Sequence, residues 1–142
     1  MQIGLAEFLE KVGKLKRTQE KIDAIAANDS LPLRIILQAA YDPNVVWQLP
    51  EGAPPYKPND LEDQEGVLVR EAQKLTYFIK GFHENLTQVK RESMFVQLLE
   101  NVTPKDAELL CLIKDKKPIK GITLEHVTKG LPGLIANEQA AN

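Results

Sequence analysis

A single cysteine, Cys111, leaves the chain without an internal disulfide. Its neighbours Leu109, Leu110, Leu112 and Ile113 mark it as a small buried hydrophobe rather than a reactive thiol, which suits a reducing cytoplasm. The only two histidines, His83 and His126, stand far apart, with no cysteine or acidic pattern at metal-ligand spacing, so no metal and no cofactor is expected. Each reads as a surface residue near a helix end. No apolar run approaches the ~20 residues that cross a bilayer, and Glu7, Glu10 and Lys11 break up the N-terminus where an export signal would be apolar. A cytoplasmic location and no membrane partner are the expectations. Phosphate-binding glycine loops, dinucleotide fingerprints, nucleophile elbows and calcium loops are all missing, and with them any motif for an enzyme.

What is present is a folding mixture, 43% hydrophobic and 27% charged over 142 residues. That length suits one domain burying roughly two-thirds of its unfolded surface. The apolar residues recur at helical spacing throughout, and the breakers fall between the repeats. Leu5, Phe8, Leu9 and Val12 predict a first helix ending at Gly13. Thr18 is placed to cap a second, with Ile22, Ile25 and Ala26 inward. Ser30 caps a third, with Pro32 in its first turn, and Pro43 stops it near Tyr41. A long fourth helix is predicted from Asp60 to Lys80, and a fifth over Thr87 to Asn101 with Val89, Phe95, Leu98 and Leu99 inward. Thr103-Pro104-Lys105-Asp106 is the sharpest helix start, and Thr123 caps a seventh helix closed by Pro132-Gly133.

The fold class predicted is therefore all-α: a compact domain of about seven helices over residues 1–135, followed by a flexible tail, 136–142. Residues 43–60 hold five prolines and a glycine, so they form a loop. Trp47 and Tyr56 should anchor it as an ordered crossover.

The net charge is −2, but the charges are segregated. Lys11, Lys14, Lys16, Arg17 and Lys21 crowd one stretch and Lys114, Lys116, Lys117 and Lys120 another, while Glu51, Asp60, Glu62, Asp63 and Glu65 lie between. In the second cluster, lysines that can neutralise phosphates precede Gly121, which permits close backbone approach, and Thr123, which opens a helix whose free N–H groups face an anion. Lys14 to Thr18 repeats that arrangement. Two such helix starts could hold a duplex by its backbone without reading bases. The simpler reading is two solvated faces with ordinary turns and caps.

The run Phe95, Leu98-Leu99, Val102 to Ala107, Leu109-Leu110, then Lys120 to Thr123 and Leu131 to Ile135, resembles the end of the N-terminal DNA-binding domain of ATP-dependent DNA ligases. It is most similar to the compact ligases of T-even-like bacteriophages. The helix ending at Val12-Gly13, the Lys- and Thr-containing helix start, and Leu33 through Pro43 fit the beginning of that domain. The resemblance implies a helical domain that grips the sugar-phosphate backbone across the minor groove, with Lys16, Arg17 and Thr18 at one end and Lys120, Gly121 and Thr123 at the other. Lys14, Lys114, Lys116 and Lys117 join this set on electrostatic grounds. No Lys-x-Asp-Gly motif for adenylylation occurs, so the chain is not expected to seal nicks itself. Two functions follow as expectations: a non-catalytic, phage-encoded module holding double-stranded DNA in the host cytoplasm, or an adaptor binding a phage or host replication, transcription or virion protein.

Overall fold

The computed structural model describes residues 3–135; the expected tail at 136–142 lies outside them. Seven α-helices occur among these residues: α1 (Leu5–Gly13), α2 (Thr18–Ala27), α3 (Leu31–Tyr41), α4 (Gly66–Glu71), α5 (Gln88–Asn101), α6 (Pro104–Lys114) and α7 (Leu124–Gly130). A 3-10 helix, Ala72–Phe78, continues α4. The central element is α6, which packs against α1, α3 and α5, while α2 pairs with α7. Leu9, Ile36, Phe95, Leu99, Leu110 and Ile113 are almost fully buried in one continuous apolar cluster, where Phe78 meets Phe95 edge-on at 5.2 Å between ring centres.

Two expected caps, Ser30 and Thr103, are present, and Thr87 supplies a third. Ser30 Oγ accepts from Leu33 N–H at 3.3 Å, Thr87 from Lys90 at 3.3 Å and Thr103 from Asp106 at 3.1 Å. Each satisfies an N–H that the first helical turn leaves without a partner. Thr18 departs from expectation, because it is already the first helical residue. Arg17 occupies the cap position, and its N–H donates to the Glu20 carboxylate at 3.2 Å. The helix start is thus closed by an acid one turn in.

The predicted fourth helix is much shorter than its apolar pattern. Residues 60–65 are irregular, Asp63 sits at φ 59°, and α4 starts only at Gly66. Ala72, Leu75 and Phe78 recur every three residues, the period of a 3-10 helix, and all three are buried. Ile79 then turns extended and pairs antiparallel with Trp47: Gln48 N–H donates to Phe78 O at 2.7 Å and Lys80 N–H to Val46 O at 2.8 Å.

In α5 the expected inward Val89 is 82% exposed, and Arg91 is buried in its place. Arg91 lies four residues before Phe95 and shares its face; Val89, six before, does not. The buried guanidinium donates to the carbonyls of Tyr77, His83 and Leu86, fastening the 77–86 segment to α5. Ala26 also faces out, and Cys111 is half-buried, with burial pushing its thiol pKa up. His126, expected at the surface, is buried.

The 43–60 crossover is ordered by its side chains, as expected. Trp47 Nε1 donates to Ala39 O at 3.1 Å, and Val45, Trp47, Leu49 and Tyr56 pack against the core. Further along, Lys57 N–H donates to Glu100 and Asn59 to the carbonyl of Asn101.

Candidate nucleic-acid interface

The two basic connectors, a hundred residues apart, meet through two glycines. A Cβ on Gly13 would stand 2.3 Å from the carbonyl oxygen of Lys120. A Cβ on Gly121, whose φ is +80°, would stand 2.3 Å from the carbonyl oxygen of Gly13 and 2.7 Å from its Cα. Only hydrogen fits on either side, so the end of α1 lies directly on the 118–122 turn. Lys21 Nζ crosses from α2 to Gly121 O at 2.6 Å. From the other side, Tyr41 Oη donates to Ile122 O at 2.7 Å and accepts from Ile119 N–H at 3.0 Å. Burial raises the Tyr41 pKa, which keeps this hydroxyl protonated as a donor.

The junction sorts the ten sequence-selected residues. Lys16, Arg17, Lys117 and Lys120 are exposed, with no ion-pair partner among the described residues. Lys14 is exposed too and lies 3.6 Å from Glu10, an acid that Lys105 also approaches at 3.3 Å. Such exposed pairs contribute little and leave the lysine free to exchange partners. Lys14, Lys105 and Lys120 rim an open cavity of about 440 Å³, floored by Leu9, Leu109 and Leu112 between α1 and α6.

Of the remaining five, Lys114, Lys116, Gly121 and Thr123 are engaged within the fold, contrary to expectation, while Thr18 is exposed. The Lys114 side chain is 1% exposed; its ammonium donates to Pro50 O at 2.7 Å and to Asp115 Oδ1 at 2.5 Å. Lys116 has φ 58°, and its ammonium reaches the carbonyls of Ala39 at 3.0 Å and Asp42 at 2.7 Å. Those carbonyls belong to the negative end of α3, which favours a cation. Burial lowers the Lys116 pKa, with Asp42 opposing that shift. Thr18 does not cap, as described above.

Gly121 turns its backbone towards Gly13 instead of an approaching ligand. Thr123 closes α7 reciprocally: its hydroxyl accepts from His126 N–H at 3.4 Å, and its own N–H donates to His126 Nδ1 at 3.0 Å. Burial and the nearby Lys21 charge lower the His126 pKa, which favours the neutral imidazole this acceptor role requires. The start of α7 is therefore closed by a reciprocal cap between Thr123 and His126.

One local motif explains why neighbouring lysines diverge. At the end of α6, Lys116 N–H donates to Ile113 O at 2.9 Å and Lys117 N–H to Leu112 O at 3.1 Å. This is a Schellman termination with a lysine at the left-handed position that glycine usually takes. It directs Lys116 back onto α3 and releases Lys117 and Lys120 on the outer side. Sequence reasoning passed over Gly13 and Tyr41 as parts of this junction and left Lys21 out of the site. Gly13 reads equally well as a plain helix stop, and nothing local reveals what it faces.

Comparison with known proteins adds one match: residues 8–120 fit the family model described as "Family of unknown function (DUF6433)". No curated protein matches the chain.

Proposed function

We propose, from the premise that the chain belongs to DUF6433, a family of unknown function, that it is a non-catalytic module holding the backbone of duplex DNA. The observation that carries this reading is the Gly13–Gly121 contact. It joins Lys14, Lys16 and Arg17 to Lys120 on one fixed junction, with Lys117 on the same turn as Lys120. Exposed cations carried on a fixed backbone junction can neutralise phosphates, and backbone contacts of this kind carry little sequence preference. The resemblance to the ligase DNA-binding domain points the same way and suggests a phage accessory role. The non-catalytic part of the proposal draws on where reactive side chains lie: Lys114 and His126 are each bonded internally, and Cys111 has a raised pKa.

The test is a titration of the full chain against intact, nicked and single-stranded DNA at two salt concentrations. Duplex affinity should fall steeply with salt, at about 0.9 in log–log slope per phosphate neutralised. Absence of duplex affinity at low salt would overturn the proposal.

A further inference from the structure

Away from the basic junction, the proline-rich strap and α5 enclose a cleft of about 400 Å³. Its walls are apolar: Leu49, Pro54 and Pro55 from the strap face Phe95 and Val96 from α5. Two acids also line it, Glu51 on the strap and Glu92 on α5. Glu92 accepts from the Gln88 amide at 3.0 Å, and neither carboxylate has a cation partner among the described residues. The one cation lining the cleft, Lys114, is already held by Pro50 O and Asp115.

The cleft is also built in advance. The Asp115 carboxylate takes Gly52 N–H at 3.2 Å, Lys114 holds Pro50 O, and Glu100 takes Lys57 N–H at 2.9 Å, so the strap is fixed on both sides of its apex. Prolines at 50, 54 and 55 restrict it further. A preorganised apolar cleft loses little entropy when filled, and carboxylates lining it favour an occupant with positive charge beside its apolar group. We infer that this cleft docks a short segment of a partner protein in which an apolar side chain sits next to an arginine or lysine. Nucleic acid is the wrong occupant, since its phosphates would meet Glu51 and Glu92. The inference therefore goes beyond the duplex-binding proposal and does not depend on it.

The experiment is a selection of random 12-residue peptides, displayed on particles, against the immobilised full chain. Enriched peptides should pair an apolar residue with a basic one. Retention of an enriched peptide should fall at least tenfold on the Glu51→Lys/Glu92→Lys variant, and by a similar factor when Ala53→Trp obstructs the cleft mouth. Circular dichroism confirms that the variants fold, and duplex affinity measured on the same proteins should change little with Ala53→Trp. No enrichment, enrichment of acidic or wholly polar peptides, or retention that ignores both variants would overturn the inference.

Discussion

The 118–122 turn and the 43–60 strap are both irregular, yet they are fastened in different ways. The turn is held first where side chains are missing, with Gly13 and Gly121 in backbone contact, and then by Lys21 and Tyr41 bonding its backbone. The strap is held by side chains that reach it, Lys114 and Asp115 at its apex and Glu100 farther along, and by its own Asn59, which donates to Asn101 O. Lysines therefore follow two paths. Lys114 is used up as an internal fastener, whereas Lys117, just before the turn, and Lys120, within it, stay exposed.

The strongest test of this contrast is Gly121→Ala. A Cβ there meets fixed backbone at 2.3 Å in a left-handed conformation, so destabilisation of about 3 kcal/mol or more is expected from strain and overpacking together. Gly13→Ala should cost a comparable amount for the steric reason. Urea midpoints check both, and wild-type stability in either variant would mean that the junction is loose.

The strap should fail more mildly. Lys114→Met removes a buried donor, leaving Pro50 O unpaired and Asp115 without its cation, for an expected loss of about 2 kcal/mol. Limited proteolysis should then cut faster between residues 50 and 57. Unchanged cleavage would show that proline stiffness and packing hold the strap without Lys114.

Asp106 sharpens the comparison, as a buried charge with no cation to match the Lys114–Asp115 pair. It is 0% exposed; Oδ1 accepts from Ala6 N–H at 2.9 Å, and Oδ2 has no partner. It thereby caps α1 from a distance, beside Gly4, where a Cβ would come within 3.2 Å of Oδ2. Burial raises its pKa, the Ala6 and Thr103 hydrogen bonds oppose that shift, and Glu65 and Glu7 reinforce it. Lys105, also nearby, points its ammonium to Glu10.

A raised folded pKa means that the native state binds more protons than the unfolded chain, so this contribution is complete below the ordinary value of 3.8 and is lost as pH climbs through the folded value. Asp106→Asn keeps the oxygen that accepts from Ala6 and removes the charge. Its stability relative to wild type should improve as pH rises from the ordinary carboxylate value through the raised folded value, and then level off. Thermal melts across that range check the sign, and a constant difference would show that Asp106 does not titrate in it.

The smallest stability change belongs to the outward lysines. Lys117→Glu with Lys120→Glu should shift the urea midpoint by no more than about 0.5 kcal/mol, as surface changes do. If the duplex-binding proposal holds, the same variant should lower the salt slope by roughly two units. Adding Lys116→Glu would confuse this result, since that ammonium is docked on α3.

Some of this was legible in local sequence, and some was not, for reasons visible in single residues. Thr103-Pro104 and Ser30 with Pro32 announced their helices because a cap involves only residues three apart. Thr18 carries the same chemistry and does not cap, because Arg17 and Glu20 close that start instead. Val89 faces out and Arg91 in because phase on the helix overrides side-chain hydrophobicity there, and a buried guanidinium is stable only with the carbonyls that a distant segment supplies. For the candidate interface, the sequence pointed to the lysines without distinguishing inward from outward.

The sequence by itself determined that the chain is helical, where most helices start and stop, and that residues 43–60 must cross as an anchored loop. These follow from apolar spacing, caps and prolines, whose effects extend only a few residues. Tertiary structure alone decided that Gly13 touches Gly121, that Lys114 and Lys116 turn inward, and that Asp106 caps a helix a hundred residues away. Each of those outcomes depends on which backbone atoms arrive from a remote part of the chain, and a hydrogen bond or a steric limit acts over a few ångströms whatever the separation in sequence.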